Sequence, residues 1–242
     1  LSQPSVPPSV PPSVPPSVPP SVPPLTWVEV SAASLQHNLR LLRAAATVDG
    51  RSPRACVMVK GNAYGHGLVA AAQAFLAGGA DWLGVADVFE ARDLRAAGVT
   101  APLYAVCYVP PEQAAFAVAH DLRLTVYDRA VVDAAAAAGR AQGRVARVHV
   151  KLETGTNRQG LRHDAALALC AHVLATEGVQ LEGMSTHFAD IEDTTDHRFA
   201  HQQLTRFRRG VAAARELLAA AGEDPASLVS HASNTAAVLL WP

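Results

Sequence analysis

From Ala55 onward the chain repeats one two-beat pattern, a short apolar run followed by a helical stretch, and few folds accommodate it. The runs are Ala55–Lys60, Trp82–Ala86, Pro102–Cys107, Arg123–Val126, Ala146–Leu152, Val179–Thr186 and Ser227–His231. Most show no polar alternation, so they read as strands covered on both faces, which is the condition of a parallel sheet clothed by helices. Helix signals fall between them. Asp87-x-x-Glu90 is a capping-box pattern that Gly98 closes, Pro110-Pro111 opens another helix, and Asp128 caps a third. Leu204, Phe207, Val211, Ala214 and Leu218 form an apolar stripe that ends at Gly222, while Ala134–Ala138 is simple helix propensity. Ahead of these units, Leu35, Leu39 and Leu42 space a helix over 34–46, and Trp27-Val28-Glu29-Val30 alternates like a half-buried strand. Seven β-α units with short connections fit an α/β protein, a (β/α)8 TIM-type barrel truncated before its last strand. An open doubly wound sheet has the same local signature.

The 242 residues, half of them apolar, suffice for one such core. Residues 1–24 stand apart. Five tandem Ser-Val-Pro-Pro units place 11 of the 17 prolines before Leu25, so this segment reads as a polyproline II or disordered tail, and residues 25–242 as the barrel. A formal charge of −1 supplies no basic field for nucleic acid. Polar residues break every apolar run before membrane-spanning length, and Cys56, Cys107 and Cys170 are odd in number and lack a CxxC spacing. The expectation is a cytoplasmic protein without nucleic-acid or membrane partners.

In a barrel, chemistry gathers at the C-terminal ends of the strands, and the polar residues there are unusual. The first strand ends in Lys60-Gly61-Asn62-Ala63-Tyr64-Gly65-His66-Gly67, a charged amine and a glycine-rich turn leading into a helix start suited to an anion. The fifth ends in Lys151-Leu152-Glu153-Thr154-Gly155-Thr156-Asn157-Arg158-Gln159-Gly160, the sixth in Ser185-Thr186-His187, and the seventh in His231-Ala232-Ser233-Asn234-Thr235. An amine, a phenol, a guanidinium, an imidazole and a hydroxyl/amide cradle suit an aldehyde cofactor bearing a phosphate. The lysine would hold the aldehyde as a Schiff base and a helix start the phosphate. Read singly, Lys151 and Arg158 are an ordinary surface pair and His187 a core histidine. His197 and His201, near Asp190, Glu192, Asp193 and Asp196, lack an HExxH pattern and read as a solvated helix start rather than a metal site.

The stretches VMVKGNAYGHG, VKLETGTNRQG, STHFAD and HASNTAA, in this order, resemble the alanine racemases over residues 25–242. That resemblance implies pyridoxal 5'-phosphate (PLP) held by Lys60, which also serves as one of two acid/bases. It implies phosphate contacts from Tyr64 and from Asn234 and Thr235, and Arg158 beside the phenolic oxygen and the substrate. It further implies His187 packed on the pyridine ring, Lys151 open to carbamylation, and no metal. The implied reaction interconverts L- and D-alanine for peptidoglycan. The second base, a tyrosine from a C-terminal β-domain that acts across a homodimer interface, lies outside these 242 residues. So does the arginine that faces the pyridine nitrogen, and the polypeptide as given is expected to be inactive. Other readings are a racemase of serine, a decarboxylase on the same barrel, a non-catalytic PLP-binding barrel and a PLP-free structural barrel.

Overall fold

The computed structural model describes residues 26–192 and 196–241; the Ser-Val-Pro-Pro segment and Asp193 lie outside them. Seven strands form one parallel sheet in sequence order: β1 (Cys56–Met58), β2 (Trp82–Val85), β3 (Leu103–Tyr108), β4 (Leu122–Val126), β5 (Ala146–Lys151), β6 (Val179–Ser185) and β7 (Val229–His231). All six pairings are parallel, with register shifts in β3–β4 and β5–β6. A monotonic parallel order in which each strand pairs with the next belongs to a barrel wall; a doubly wound sheet reverses direction at a switch point. The seven runs read from the sequence are these strands, each displaced by no more than two residues at either end.

Helices follow the strands. They are α1 (Ala32–Ala45), α2 (Lys60–Tyr64), α3 (Leu68–Ala77), α4 (Val88–Ala96), α5 (Ala114–Ala119), α6 (Arg129–Gln142), α7 (His163–Leu174), α8 (Arg198–Ala220) and α9 (Thr235–Leu240). Asp87 and Asp128 cap α4 and α6 through their carboxylates, as their positions implied. The stripe on α8 is buried at Phe207, Val211, Ala214 and Leu218. Leu83, Leu94, Leu103 and Leu124 are fully buried where the helices meet the sheet. Helix α1 packs against both α3 and α9, and so joins the flanks of the first and last strands.

Two expectations are corrected. Trp27–Val30 forms no strand: Trp27 is 66% and Val28 80% exposed, because among the described residues no neighbouring backbone pairs with the segment. The first strand stops at Met58, so Lys60 is the first residue of α2 instead of a strand residue.

Candidate active site

Every strand-end residue singled out from the sequence falls on one rim, because parallel strands present all their C-terminal ends at the same edge. Lys60 follows β1, Lys151 ends β5, Arg158 lies between β5 and α7, His187 follows β6 by two residues, and Asn234 caps α9. His187 lies within the electrostatic reach of three of them. Its pKa is lowered by burial and then by the positive charges of Lys151, Arg158 and Lys60, with Glu192 opposing. One imidazole therefore feels the cations of three different elements. Asn234 reaches Glu192 at 3.5 Å, which ties the β7 end to the same neighbourhood.

Lys151 is not half of a surface pair. It is buried, its Nζ donates to the Thr186 carbonyl at 2.8 Å, and burial followed by repulsion from Arg158 lowers its pKa to about 8. Gly160 approaches it so closely that a Cβ there would sit 3.0 Å from the Lys151 carbonyl, and its φ of +116° is one that only glycine adopts readily. Glu153 turns one carboxylate oxygen to the Gly155 amide and leaves the other buried without a partner.

Lys60 opens a turn that sequence propensity does not foresee. Gly61, Asn62, Ala63 and Tyr64 all have φ between +53° and +62°, a left-handed helical turn. That conformation costs about 1–2 kcal/mol per non-glycine residue, so it persists only where its surroundings hold it. Tyr64 stands 65% exposed on this turn. The helix start after Gly67 is partly filled from within, since the Leu68 amide donates to Asn62 Oδ1 at 2.8 Å.

Gln203 of α8 is wholly buried and fastens two of the rim loops. Its Oε1 accepts from the Ala189 amide at 2.9 Å, and its Nε2 lies 3.2 Å from both Thr154 Oγ1 and the His187 carbonyl. Thr156 Oγ1 also donates to that carbonyl, at 2.7 Å.

Below the rim, the barrel interior is polar. Glu182 accepts from His149 Nε2 at 3.0 Å, and His149 Nδ1 lies 2.9 Å from His231 Nε2. With His149 Nε2–H donating to the carboxylate, neutral His149 accepts at Nδ1 from His231 Nε2–H, which leaves His231 Nδ1 as an acceptor. Burial pushes both histidines below the usual range, and Glu182 opposes this at His149. Tyr104 packs beside both rings, with its hydroxyl 2.7 Å from Thr125 Oγ1 and 3.2 Å from Ser185 Oγ. Burial raises its pKa to about 12. Sequence reasoning missed this column. The signal was the alternation of Arg147, His149 and Lys151 with Val148 and Val150 along β5.

His197 and His201 are not merely solvated. Trp241 Nε1 donates to His197 Nδ1 at 3.0 Å, and His201 stacks on the indole at 4.3 Å. No group of three or more His, Cys, Asp or Glu among the described residues is arranged to hold a metal.

A (β/α) barrel wall that gathers a lysine just past β1, a second, buried lysine, an arginine and an imidazole at one rim defines the class: a barrel of the kind whose ligands gather at the C-terminal mouth. Residues 30–242 match the N-terminal domain of alanine racemase, and the chain belongs to that family. It is 37% identical to the alanine racemase of Desulfovibrio desulfuricans over 216 residues, covering 89% of this chain and 56% of the relative. It is 38% identical to that of Symbiobacterium thermophilum, covering 90% and 55%. Among solved structures, the alanine racemase of a D-cycloserine-producing Streptomyces lavendulae superposes with a TM-score of 0.76 at 35% identity, covering 87% of this chain and 53% of that one. The Bacillus anthracis alanine racemase, solved with bound L-Ala-P, gives 0.76 at 30% identity, covering 88% and 53%. The chain spans about half the length of these relatives.

Proposed function

We propose that this chain is the PLP-binding barrel of an alanine racemase, with Lys60 holding the cofactor's aldehyde carbon covalently. The observation that carries the reading is the C-terminal rim that gathers Lys60, Lys151, Arg158 and His187, with the charges of the three cations all acting on the one imidazole. Such a rim fits the group, because its cations match a phosphate and a phenolate, and the half-buried imidazole offers a flat face to a ring. Bound there, PLP supplies an electron sink that stabilises negative charge at a substrate's α-carbon.

The chain's residues divide the remaining work. With the cofactor bound, the Lys60 amine would hold and move a proton on one face of the substrate's α-carbon. Arg158 holds the phenolic oxygen and lies next to the substrate, and His187 supports the ring. Tyr64, Thr235 and Asn234 serve the phosphate; the side chain of Asn234 already caps α9 by accepting from the Ala237 amide at 2.8 Å. Carbamylation needs a neutral amine, and the lowered pKa of Lys151 makes the neutral form far more abundant near neutral pH than in an ordinary lysine. A carbamate there converts repulsion from Arg158 into attraction. Racemisation needs a second proton carrier on the opposite face, assigned here to a tyrosine that a homodimeric partner contributes from outside these 242 residues. The activity serves D-alanine supply for peptidoglycan in the cytoplasm. Among the described residues no helix is long and apolar enough to cross a membrane.

The test is to add PLP, reduce with borohydride and map the product by mass spectrometry. A pyridoxyl group confined to Lys60 is expected, and its absence there would remove the basis of the reading.

A further inference from the structure

We propose that Glu90, on the neighbouring helix α4, is the positioning residue that holds the left-handed turn carrying Lys60 and Tyr64. This rests on the PLP reading for its purpose, though not for its geometry. Glu90 sits where a capping box would return its carboxylate to the Asp87 amide, yet it does something else. Its Oε1 accepts from the Asn62 amide at 3.0 Å and its Oε2 from the Ala86 amide at 2.8 Å. One carboxylate thus ties the middle of the turn to the end of β2, the strand adjacent to β1.

The need for such a tie follows from the backbone. Three consecutive non-glycine residues, Asn62, Ala63 and Tyr64, adopt positive φ, and isolated chains do not hold that conformation. Bonds inside the turn close it on itself: the Ala63 amide reaches the Val59 carbonyl at 2.7 Å, and the Gly65 and Gly67 amides both reach the Asn62 carbonyl at 3.1 Å. The Val59 amide on the Gly84 carbonyl at 2.8 Å holds the start of the turn to β2, and Asn62 Oδ1 under the Leu68 amide holds it to α3, which leaves the Asn62 backbone amide to be tied from α4. Ala63 is buried against the core, and Glu90 takes the Asn62 amide and so ties the turn's backbone to the neighbouring β-α unit. The carboxylate matters because it accepts with both oxygens at once. An amide in its place accepts with one only and turns N–H groups towards a second donor.

Four forms of the chain decide the matter: wild type, Glu90→Gln, Glu90→Ala, and Asp87→Ala as a control that uncaps the same helix without touching the turn. Asp87 accepts only from the Phe89 and Glu90 amides, so its removal weakens α4 alone. Hydrogen exchange of residues 61–67 is read first, without cofactor, and pyridoxyl labelling of Lys60 at limiting PLP second. Exchange in Glu90→Ala should accelerate about tenfold, with Glu90→Gln intermediate and Asp87→Ala near wild type. Labelling of Lys60 should fall in the same order. Unchanged exchange in Glu90→Ala, or equal acceleration in Asp87→Ala, would overturn the proposal and leave Glu90 an ordinary part of the α4 terminus. The expected exchange pattern with no adduct on Lys60 in any form would instead overturn the PLP reading and leave the anchor standing.

Discussion

Lys151 shows how far a side chain's chemistry depends on where its strand puts it. In the sequence it is one more lysine beside a glycine-rich loop; in the fold it is buried beneath the rim, one hydrogen bond from Thr186 and close to Arg158. Its folded pKa, about 8, lies below the unfolded value near 10.5, so the unfolded chain binds more protons between these limits. For this group stability therefore rises with pH across that window, and the penalty is fully present below pH 8. Lys151→Met should remove a cost of about 3 kcal/mol at pH 7 and flatten the wild-type rise between pH 8 and 10.5. Urea unfolding of both proteins at several pH values measures the difference, which cancels the opposing thiols Cys56 and Cys170, whose pKa values burial pushes up to about 12. Parallel curves would show that Lys151 is solvated. Bicarbonate should remove the same penalty in wild type, because a carbamate exchanges a buried cation for an anion beside Arg158. Its mass increment on Lys151 would be lost on acidification.

At the level of elements, α8 does more than cover the sheet. Gln203 interrupts an apolar stripe, and it is wholly buried because both its amide ends find partners on the loops after β5 and β6. Gln203→Leu keeps the volume and strands the Ala189 amide, so unfolding free energy should drop by about 1–3 kcal/mol and exchange at Ala189 should accelerate. Equal stability would mean that water replaces the side chain. The strands, the stripe and the caps were legible because each depends on a short-range pattern: unalternated apolar runs, a helical repeat, an aspartate before a helix. The rest was hidden because it depends on distant partners. Trp27–Val30 has the alternation of a strand and no neighbour to pair with, and Gly61–Tyr64 takes a conformation opposed by the propensities of Ala63 and Tyr64. The double acceptance by Glu90 looks in sequence like a capping box.

Across the whole molecule a polar column runs inside the barrel while the apolar core lies between the sheet and its helices. Arg123, Asp121, Arg147 and Glu182 form ion pairs towards the N-terminal ends of the strands, and the chain of polar contacts continues through His149 and His231 to the rim. The rim position of the proposed site residues was legible from their place after the strands, whereas the column beneath them sits inside strands and needed the fold to bring β3, β5, β6 and β7 together. This architecture makes a commitment about acid. His149 and His231 are held neutral by burial, with folded pKa values below the unfolded value near 6.5. Their contribution is complete above that value and is lost as pH falls, at about 1.4 kcal/mol per pH unit for each histidine while it stays neutral in the fold. Glu182, whose carboxyl burial pushes up but His149 and Arg123 together hold below the usual range, adds its own loss at lower pH. Wild type should therefore weaken steeply from pH 6.5 to 5, whereas His231→Gln, whose amide still donates to His149, should be less stable at pH 7.5 and lose less on acidification. A wild-type profile flat over that interval would mean that the histidine pair is already protonated in the fold, and the neutral relay from Glu182 to His231 would have to be abandoned.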